Sequence, residues 1–229
     1  MTFLTRVDVR SVDQLAIDTY GLPGIVLMEN AGRNATAALI RQIKDLAAEQ
    51  FVIAVGPGNN GGDGLVMARH LDNAGAAVRV VLAAAPERFQ GDALVNLRVV
   101  ERSDIPLTCL AGATAAAWQA ALASATYLID ALLGTGATGP ARGGVAQAIT
   151  AIVACRAEPP VPRVIAIDLP SGLDCDTGEP LGPCVMADAT LSFVAAKIGF
   201  SEPEAASLTG RVEVLDIGVP RKLLSSFKI

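Results

Sequence analysis

The glycine-rich segment GPGNNGGDG at residues 56–64 restricts the fold more than any other feature of the sequence. It follows the short apolar run FVIAV at 51–55 and precedes the amphipathic segment LVMARHLDNAG at 65–75. A buried strand, a glycine loop and a helix in this order are typical of a nucleotide-binding α/β sheet. Glycines let the backbone approach a pyrophosphate, and the amides at a helix N-terminus point at it.

The segment nevertheless differs from the two commonest phosphate-binding loops. A P-loop is excluded because no Gly-Lys-Ser/Thr follows the glycines. A dehydrogenase fingerprint needs an acid after the second strand, which we predict at 77–83, and Glu87 is the only nearby candidate. The segment also contains Asn59, Asn60 and Asp63. It therefore indicates a nucleotide-like ligand without indicating hydride transfer.

The rest of the chain alternates apolar strands with amphipathic helices, which predicts a parallel, doubly wound sheet in a three-layer αβα Rossmann-like fold. Two extra helices precede the first strand, the first of them with Ser11 as its N-cap. The predicted strands lie at 51–55 and 77–83, at 106–110, and within 127–136, 161–174, 187–199 and 211–219. The predicted helices lie at 8–20, 25–48, 65–75, 89–102, 113–124 and 143–155.

Composition limits the class of protein. The 229 residues show no linker or repeat, so we predict one domain over 1–229. Scattered Lys and Arg and a net charge of −5 argue against nucleic-acid binding. No apolar run reaches the roughly 18–20 residues that span a bilayer, and no signal-peptide pattern is present, so we expect a cytoplasmic protein. Four widely spaced cysteines and a single histidine offer little to a zinc site or a Ser-His mechanism.

A second glycine-rich loop follows the predicted strand at 127–136. The segment IDALLGTGATGPARGG at 129–144 places Asp130 near the strand end and Gly134, Gly136 and Gly139 after it. Ligands of doubly wound sheets bind beyond the carboxyl ends of the strands. This loop is therefore expected to face the first one and to form a second anion cradle.

A third strand end carries acidic residues, in IDLPSGLDCDTG at 167–178. Asp168 ends an apolar strand, where it either caps the next turn or transfers protons. Ser171 is presented by a Pro-Ser-Gly turn that does not match the nucleophile elbow of hydrolases. We expect Asp174 and Asp176 to cap and solvate the loop.

Two further roles stay open at this level. Asn60, Asp130 and Ser171 each lie in one of the three strand-end loops, and their oxygens would suit a hard cation such as K⁺ or Na⁺. Lys197 follows the strand LSFVAA; it is either an exposed edge charge or a partner of Asp168 that would hold an anion or lower the carboxyl pKa.

Taken together, these segments resemble the YjeF N-terminal domain family, the NAD(P)H-hydrate epimerases. The blocks that carry the resemblance run in family order from about residue 8 to 219. They are DQLAIDTYGLPGIVLMENAGR, VGPGNNGGDGLVMARHL, QGDALVNL, IDALLGTG, DLPSGLDCDTG and ADATLSFVAAKIGF.

The resemblance implies an isomerase that interconverts the R and S forms of NADHX and NADPHX, reduced cofactors with a hydroxyl at C6 of the nicotinamide ring. It implies Asp168 as the catalytic acid/base in contact with that ring, with Asp63 or Lys197 as an orienting partner. The metal ligands implied for one K⁺ per subunit are Asn60, Asp130 and Ser171. The ligand-binding residues implied are Asn59, Asn60, Gly61, Gly62, Asp63, Gly134, Thr135, Gly136, Ala137, Thr138, Gly139, Pro140 and Asp168.

The same resemblance implies a homodimer with a contact through LMENAG, and coupling to a separate dehydratase. The chain stops about ten residues after the last predicted strand, so we expect no C-terminal dehydratase domain. We expect one group to protonate the leaving hydroxyl and to deprotonate the returning water. The alternatives are a non-catalytic nucleotide-binding and dimerisation module of the same fold, and an NAD-dependent oxidoreductase.

Overall fold

The computed structural model describes residues 2–157 and 159–229. The strands are β1 (Phe3–Leu4), β2 (Gln50–Val55), β3 (Ala77–Leu82), β4 (Leu107–Cys109), β5 (Tyr127–Ala131), β6 (Arg163–Ile167), β7 (Ala189–Phe193), β8 (Ala196–Lys197) and β9 (Arg211–Leu215). The helices are α1 (Arg6–Asp18), α2 (Gly24–Ile40), α3 (Asn59–Asn73), α4 (Gly91–Glu101), α5 (Ala115–Leu122), α6 (Gly143–Ala154), α7 (Ala206–Thr209) and α8 (Arg221–Ser226).

Seven strands form one parallel sheet in the order β4-β3-β2-β5-β6-β7-β9. Because all of these strands are parallel, their carboxyl ends lie at one edge, with β2, β5 and β6 side by side. A separate parallel pair joins β1 to β8, with Leu4 opposite Lys197. The sequence patterns did not predict β1 or β8, which have only two residues each.

Alternation along the strands divides the core into two layers. On β2, Phe51, Ile53 and Val55 pack in a cluster that includes side chains of α1, α2, α3, α4 and α8. Val52 and Ala54 face the opposite side and pack against α5 and α6. The sheet is therefore covered on both faces, which confirms the three-layer αβα fold predicted from the sequence.

The start of α1 differs from the prediction. The N-cap is Thr5, whose side chain accepts a hydrogen bond from the Asp8 backbone, while the Asp8 carboxylate accepts one from the Thr5 backbone. This reciprocal capping box satisfies two amides that would otherwise lack partners. Ser11 was the wrong choice of cap; it lies inside the helix and its hydroxyl donates to the Val7 carbonyl at 2.8 Å.

The second helix is shorter than the predicted 25–48. It ends at Ile40, where the Gln42 side chain donates to the Ala38 carbonyl at 3.1 Å and so satisfies a terminal acceptor. A separate 3-10 turn covers Leu46–Ala48. With 17 residues α2 is the longest helix, and no helix within 2–157 or 159–229 has the length and apolar character needed to cross a bilayer.

The glycine-rich segment itself becomes helical earlier than predicted. Helix α3 begins at Asn59, with Gly58 as its N-cap and a 3.1 Å bond from the Gly62 amide to the Gly58 carbonyl. Asn59–Asp63 is thus the first turn of the helix and not a free loop. An added Cβ at Gly61 would lie 1.8 Å from the Gly56 carbonyl oxygen, so this glycine is needed for close backbone packing.

This packing leads to a stability prediction. We expect Gly61→Ala to lower the free energy of unfolding by about 3 kcal/mol, the upper end of ordinary overpacking costs, because the obstructing atom belongs to the backbone. Gly136→Ala is the matched control, since its Cβ would meet nothing within 4 Å. Urea unfolding monitored by circular dichroism measures both; equal midpoints for the two variants would contradict the prediction.

Candidate active site

A cavity of ≈580 Å³ lies beyond the carboxyl ends of β2, β5 and β6, with α1 and α2 forming part of its wall. Its lining includes many of the residues that the sequence singled out. These are Asn59, Asn60, Asp63, Gly134, Thr135, Gly136 and Asp168; Arg10, Asp13 and Asp92 join them. The three strand-end loops therefore meet at one site, as parallel topology requires.

Asp168 follows β6 directly and is fixed through both carboxylate oxygens. Oδ2 accepts bonds from the Thr135 amide at 2.7 Å and the Thr135 hydroxyl at 2.6 Å. Oδ1 lies 2.7 Å from the Lys197 ammonium. The Asp168 backbone is left-handed, with φ of 68°, a conformation that Asp adopts more readily than most residues. The carboxylate is thus held in one orientation at the cavity wall.

The structure answers the question that the sequence left open for Lys197. This side chain is fully buried, and its Nζ has three oxygens around it: Asp168 Oδ1 at 2.7 Å, the Phe193 carbonyl at 3.1 Å and the Ala195 carbonyl at 3.4 Å. It is not an exposed edge charge. Because its donors already have partners, Lys197 fixes the charge and position of Asp168.

These contacts determine the protonation state of Asp168. Burial by itself raises the pKa of this carboxyl, but the charge of Lys197 and the bonds from Lys197 and Thr135 outweigh it and hold the pKa below its usual value. Asp168 is therefore ionised at neutral pH and is ready to accept a proton.

Two other carboxyls face the same space, and their pKa values are shifted in the opposite direction. Burial and the nearby charges of Asp168 and Asp13 raise the pKa of Asp63 well above normal. Burial and the charge of Asp168 raise the pKa of Asp13 to about 6. Lys197 opposes both shifts but is already paired with Asp168. The cavity thus combines one fixed carboxylate with two carboxyls that hold a proton to higher pH than an ordinary Asp does.

A buried cluster of polar residues beside the cavity includes the three proposed cation ligands. Asp130 is completely buried; Oδ1 accepts the Ser171 hydroxyl at 2.6 Å and Oδ2 accepts the Ser171 amide at 2.8 Å. The Asn60 amide donates to the Leu133 carbonyl at 2.8 Å, and the Ser171 hydroxyl accepts from the Leu133 amide at 2.9 Å. One backbone segment therefore contacts both Asn60 and Ser171.

Two polar groups of this cluster lack a compensating partner among residues 2–157 and 159–229. Asn60 Oδ1 is buried and has no hydrogen-bond partner within the described residues. Burial raises the pKa of Asp130 to about 6, and no ion pair involves this carboxyl in the part of the chain that the structure describes. A buried acceptor without a donor and a buried carboxylate without a cation both favour a bound positive ion.

The remaining residues of the predicted ligand set lie in two places. Ala137 lines the main cavity and a smaller adjoining pocket of ≈390 Å³, which also includes Thr138, Gly139 and Pro140. Gly61 and Gly62 lie outside both linings: they are buried in the contacts of α3, where a Cβ at Gly62 would meet Met28 at 2.6 Å. Their direct contact with a ligand stays a prediction.

Sequence reasoning missed the contribution of α1. Arg6 is buried and reaches the Ala137 carbonyl and, at 2.7 Å, the Asp174 carboxylate. Asp176 accepts the Arg6 backbone amide at 2.7 Å, and Arg10 donates to the Gly136 carbonyl at 3.0 Å. Helix α1 thus joins two site loops, and Asp174 and Asp176 do more than solvate their turn.

His70 and the cysteines lie apart from this chemistry. His70 Nε2 is 2.8 Å from Glu29 on α2 and does not line the cavity. The four cysteines are free thiols, and no group of three or more His, Cys, Asp or Glu side chains in the described ranges could hold a metal. A Cys/His metal centre is therefore not formed by these residues.

Comparisons with known proteins agree with this arrangement. The family model for the YjeF-related protein N-terminus matches residues 24–199. The chain is 46% identical over 216 residues to the NAD(P)H-hydrate epimerase of Pirellula staleyi, covering 94% of this chain and 92% of that one. It is 42% identical over 228 residues to the bifunctional NAD(P)H-hydrate repair enzyme Nnr of Moorella thermoacetica, covering 99% of this chain and 42% of that enzyme.

A crystal structure of the yeast protein ynu0 (YNL200c) shares the fold. Its TM-score is 0.81 at 22% identity, and the match covers 100% of this chain and 94% of that one. The family match includes the glycine-rich segment, both later strand-end loops and Lys197. The chain belongs to the YjeF-related N-terminus family.

Proposed function

We propose that this protein is an NAD(P)H-hydrate epimerase, an isomerase that interconverts the R and S forms of NADHX and NADPHX. The observation that carries the proposal is Asp168, an ionised carboxylate held at the wall of a ≈580 Å³ cavity by Lys197 and Thr135. The names of relatives at 41–46% identity support it, because they act as NAD(P)H-hydrate epimerases. Asp168 also argues against a purely non-catalytic module.

The chemistry follows from the C6 hydroxyl of the hydrated ring. When that hydroxyl is protonated, the ring nitrogen lone pair expels it as water and leaves an iminium. Water then adds to the other face, and a carboxylate must take its proton. Asp168 is suited to this acceptor role because Lys197 and Thr135 keep it ionised. The first turn of α3 and the loop at 134–140 would hold the phosphates through backbone amides.

The decisive experiment supplies the protein with a mixture of NADHX epimers and a dehydratase that consumes only the S form. We expect consumption of the whole mixture, faster than the slow spontaneous conversion permits. If the S fraction is consumed rapidly and the R fraction then disappears only at the spontaneous rate, the proposed function is wrong. Repeating the assay with NADPHX would show which of the two cofactors is preferred.

We also propose that Asn60, Asp130 and Ser171 bind one K⁺ per subunit. The orphaned Asn60 carbonyl and the uncompensated Asp130 carboxylate supply oxygen ligands of the type that hard cations prefer. When bound, the ion would neutralise Asp130 and stiffen the loops on either side of the cavity.

Stability measurements test this site without relying on activity. K⁺ at about 100 times its dissociation constant is expected to stabilise the wild type by about 2.7 kcal/mol. Asn60→Ala should remove this stabilisation, whereas Asn73→Ala, an exposed change at the far end of α3, should retain it. A stabilisation that persists in Asn60→Ala would exclude the proposed ligand.

Three further proposals concern the setting of the enzyme. Homodimerisation is supported by apolar side chains left exposed on α1 and α2, with Val7 at 70% and Val26 at 40% exposure. Coupling to a separate dehydratase is supported by the bifunctional repair enzymes that share this region. A cytoplasmic location is supported by the four free thiols, including the exposed Cys109.

A further inference from the structure

We infer that Asp13, on α1, is the second proton-transfer residue of the epimerisation and serves the face of C6 opposite to the one served by Asp168. This inference rests on the proposed function. Inversion by loss and return of water requires a proton donor on one face and a proton acceptor on the other. The structure holds carboxyls that approach the cavity from different layers of the fold.

Asp168 by itself cannot reach both faces. Its two oxygens are fixed, one by Lys197 and the other by Thr135, and its backbone is held in the left-handed region. Asp13 reaches the cavity from α1, one helical turn after Arg10, which donates to the Gly136 carbonyl across the cavity wall. The two carboxyls therefore approach a bound ring from the sheet edge and from the covering helix.

The other ionisable groups at the site fit the role less well. Lys197 does not line the cavity, and its ammonium is already surrounded by three oxygens. Asp63 is more buried than Asp13, and burial raises its pKa well above normal, so it favours the protonated form and exchanges protons with solvent less readily. Asp13 is half-buried and lines the cavity, so it can exchange protons with solvent.

The proton balance of the two-residue scheme is closed. Protonated Asp13 gives its proton to the C6 hydroxyl, the C–O bond breaks, and water leaves an iminium and an Asp13 carboxylate. A water molecule adds to the opposite face of C6, and the Asp168 carboxylate takes its proton. The proton returns from Asp168 to Asp13 through water. The reverse conversion uses the same two groups in the opposite order.

The pair should give a bell-shaped pH dependence, because activity needs one proton shared between two groups. The acid limb reflects protonation of Asp168, whose pKa is lowered, and the alkaline limb reflects loss of the Asp13 proton, whose pKa is raised to about 6. The charges that act on Asp13 are those of Asp168 and Lys197, and the charge of Asp13 acts in turn on Asp63. Asp92 and, on the same helix, Arg10 also line the cavity.

The test compares Asp13→Asn, Asp13→Glu and Asp18→Asn in the coupled assay across pH. Asp13→Asn is expected to lower kcat by about 10²-fold, to remove the alkaline limb and to leave ligand affinity unchanged. Asp13→Glu restores a titratable carboxyl and should recover part of the rate with a displaced alkaline limb. Asp18→Asn makes the same change at the exposed end of α1 and should behave as the wild type.

Each outcome separates this inference from the proposed function. An active wild type together with an Asp13→Asn variant of the same rate and pH profile overturns the role of Asp13 alone. Loss of ligand affinity equal to the loss of rate overturns it as well, because Asp13 would then act in binding. A wild type without epimerase activity overturns both. If Asp13→Asn does not fold, the same criteria apply to the pH profile of Asp13→Glu.

Discussion

Asp168→Asn is expected to lower the rate of epimerisation by about 10³-fold, while the hydrated cofactor still binds. Asn keeps the shape of the side chain, and its carbonyl can still accept the bonds that Thr135 donates at 2.6 and 2.7 Å. It also tolerates the left-handed backbone, where φ is 68°. At the reacting ring the variant loses the ability to take up and release a proton, so the loss of rate should be in kcat.

The measurement is the coupled epimer assay together with ligand titration. Because Lys197 loses its counter-ion in this variant, we also expect a lower unfolding temperature, and the assay must be run below it. Asp104→Asn is the control, since it makes the same chemical change at an exposed position away from the cavity. An Asp168→Asn variant with near wild-type kcat would remove Asp168 from the mechanism.

Lys197→Met is expected to destabilise the fold by about 3–5 kcal/mol, the usual cost of leaving one member of a buried ion pair alone. Lys197 is fully buried, and the Asp168 side chain is only 13% exposed, so solvent replaces little of the lost interaction. Activity should fall as well, because burial then raises the pKa of Asp168 and lowers the fraction of this carboxyl that is ionised at neutral pH.

The pH dependence identifies the cause. In the wild type the folded-state pKa of Asp168 is depressed, so its stabilisation is present above the unfolded-state pKa and is lost as the pH falls through the folded-state value. Without Lys197 the folded-state pKa is raised, and the cost appears as the pH rises above the unfolded-state value. The difference in unfolding free energy between variant and wild type should therefore shrink from neutral pH toward about pH 4.

Chemical denaturation at several pH values measures this difference. Lys222→Met, an exposed change on α8, should match the wild type throughout. A Lys197→Met penalty that stays constant with pH would mean that packing, and not the charge on Asp168, accounts for the loss of stability.

The positions of Asp130 and Asp168 were predictable because a short apolar run followed by an acid and a glycine turn is a local signal. Parallel topology then brings such strand ends to one edge of the sheet, so their meeting at a single cavity required no further information. The burial of Lys197 could not be deduced in the same way. It depends on the β1–β8 pair, and two-residue strands leave no pattern in a sequence.

The contributions of α1 were missed for a related reason. Asp13 and Arg6 lie on an amphipathic helix, where a charged residue on the polar face normally contacts only water. The partners of Arg6 lie 131 and 168 residues further along the chain, so no local spacing reveals them. The misplaced cap had a local cause: Ser11 suited the start of the apolar pattern, but the Thr5–Asp8 capping box begins the helix earlier.

The parallel pairing of Phe3–Leu4 with Ala196–Lys197 has a consequence for biosynthesis. A ribosome completes residues 3–18 well before it reaches 174–197, so the ion pairs of Arg6 and the docking of β1 cannot form until most of the chain has emerged. During that interval α1 and β1 lack the partners that they have in the finished fold at residues 174–197. Strands β2 to β5 can pair earlier in translation, whereas Arg6 and Asp13 on α1 meet the residues at 168–197 only in its last stage.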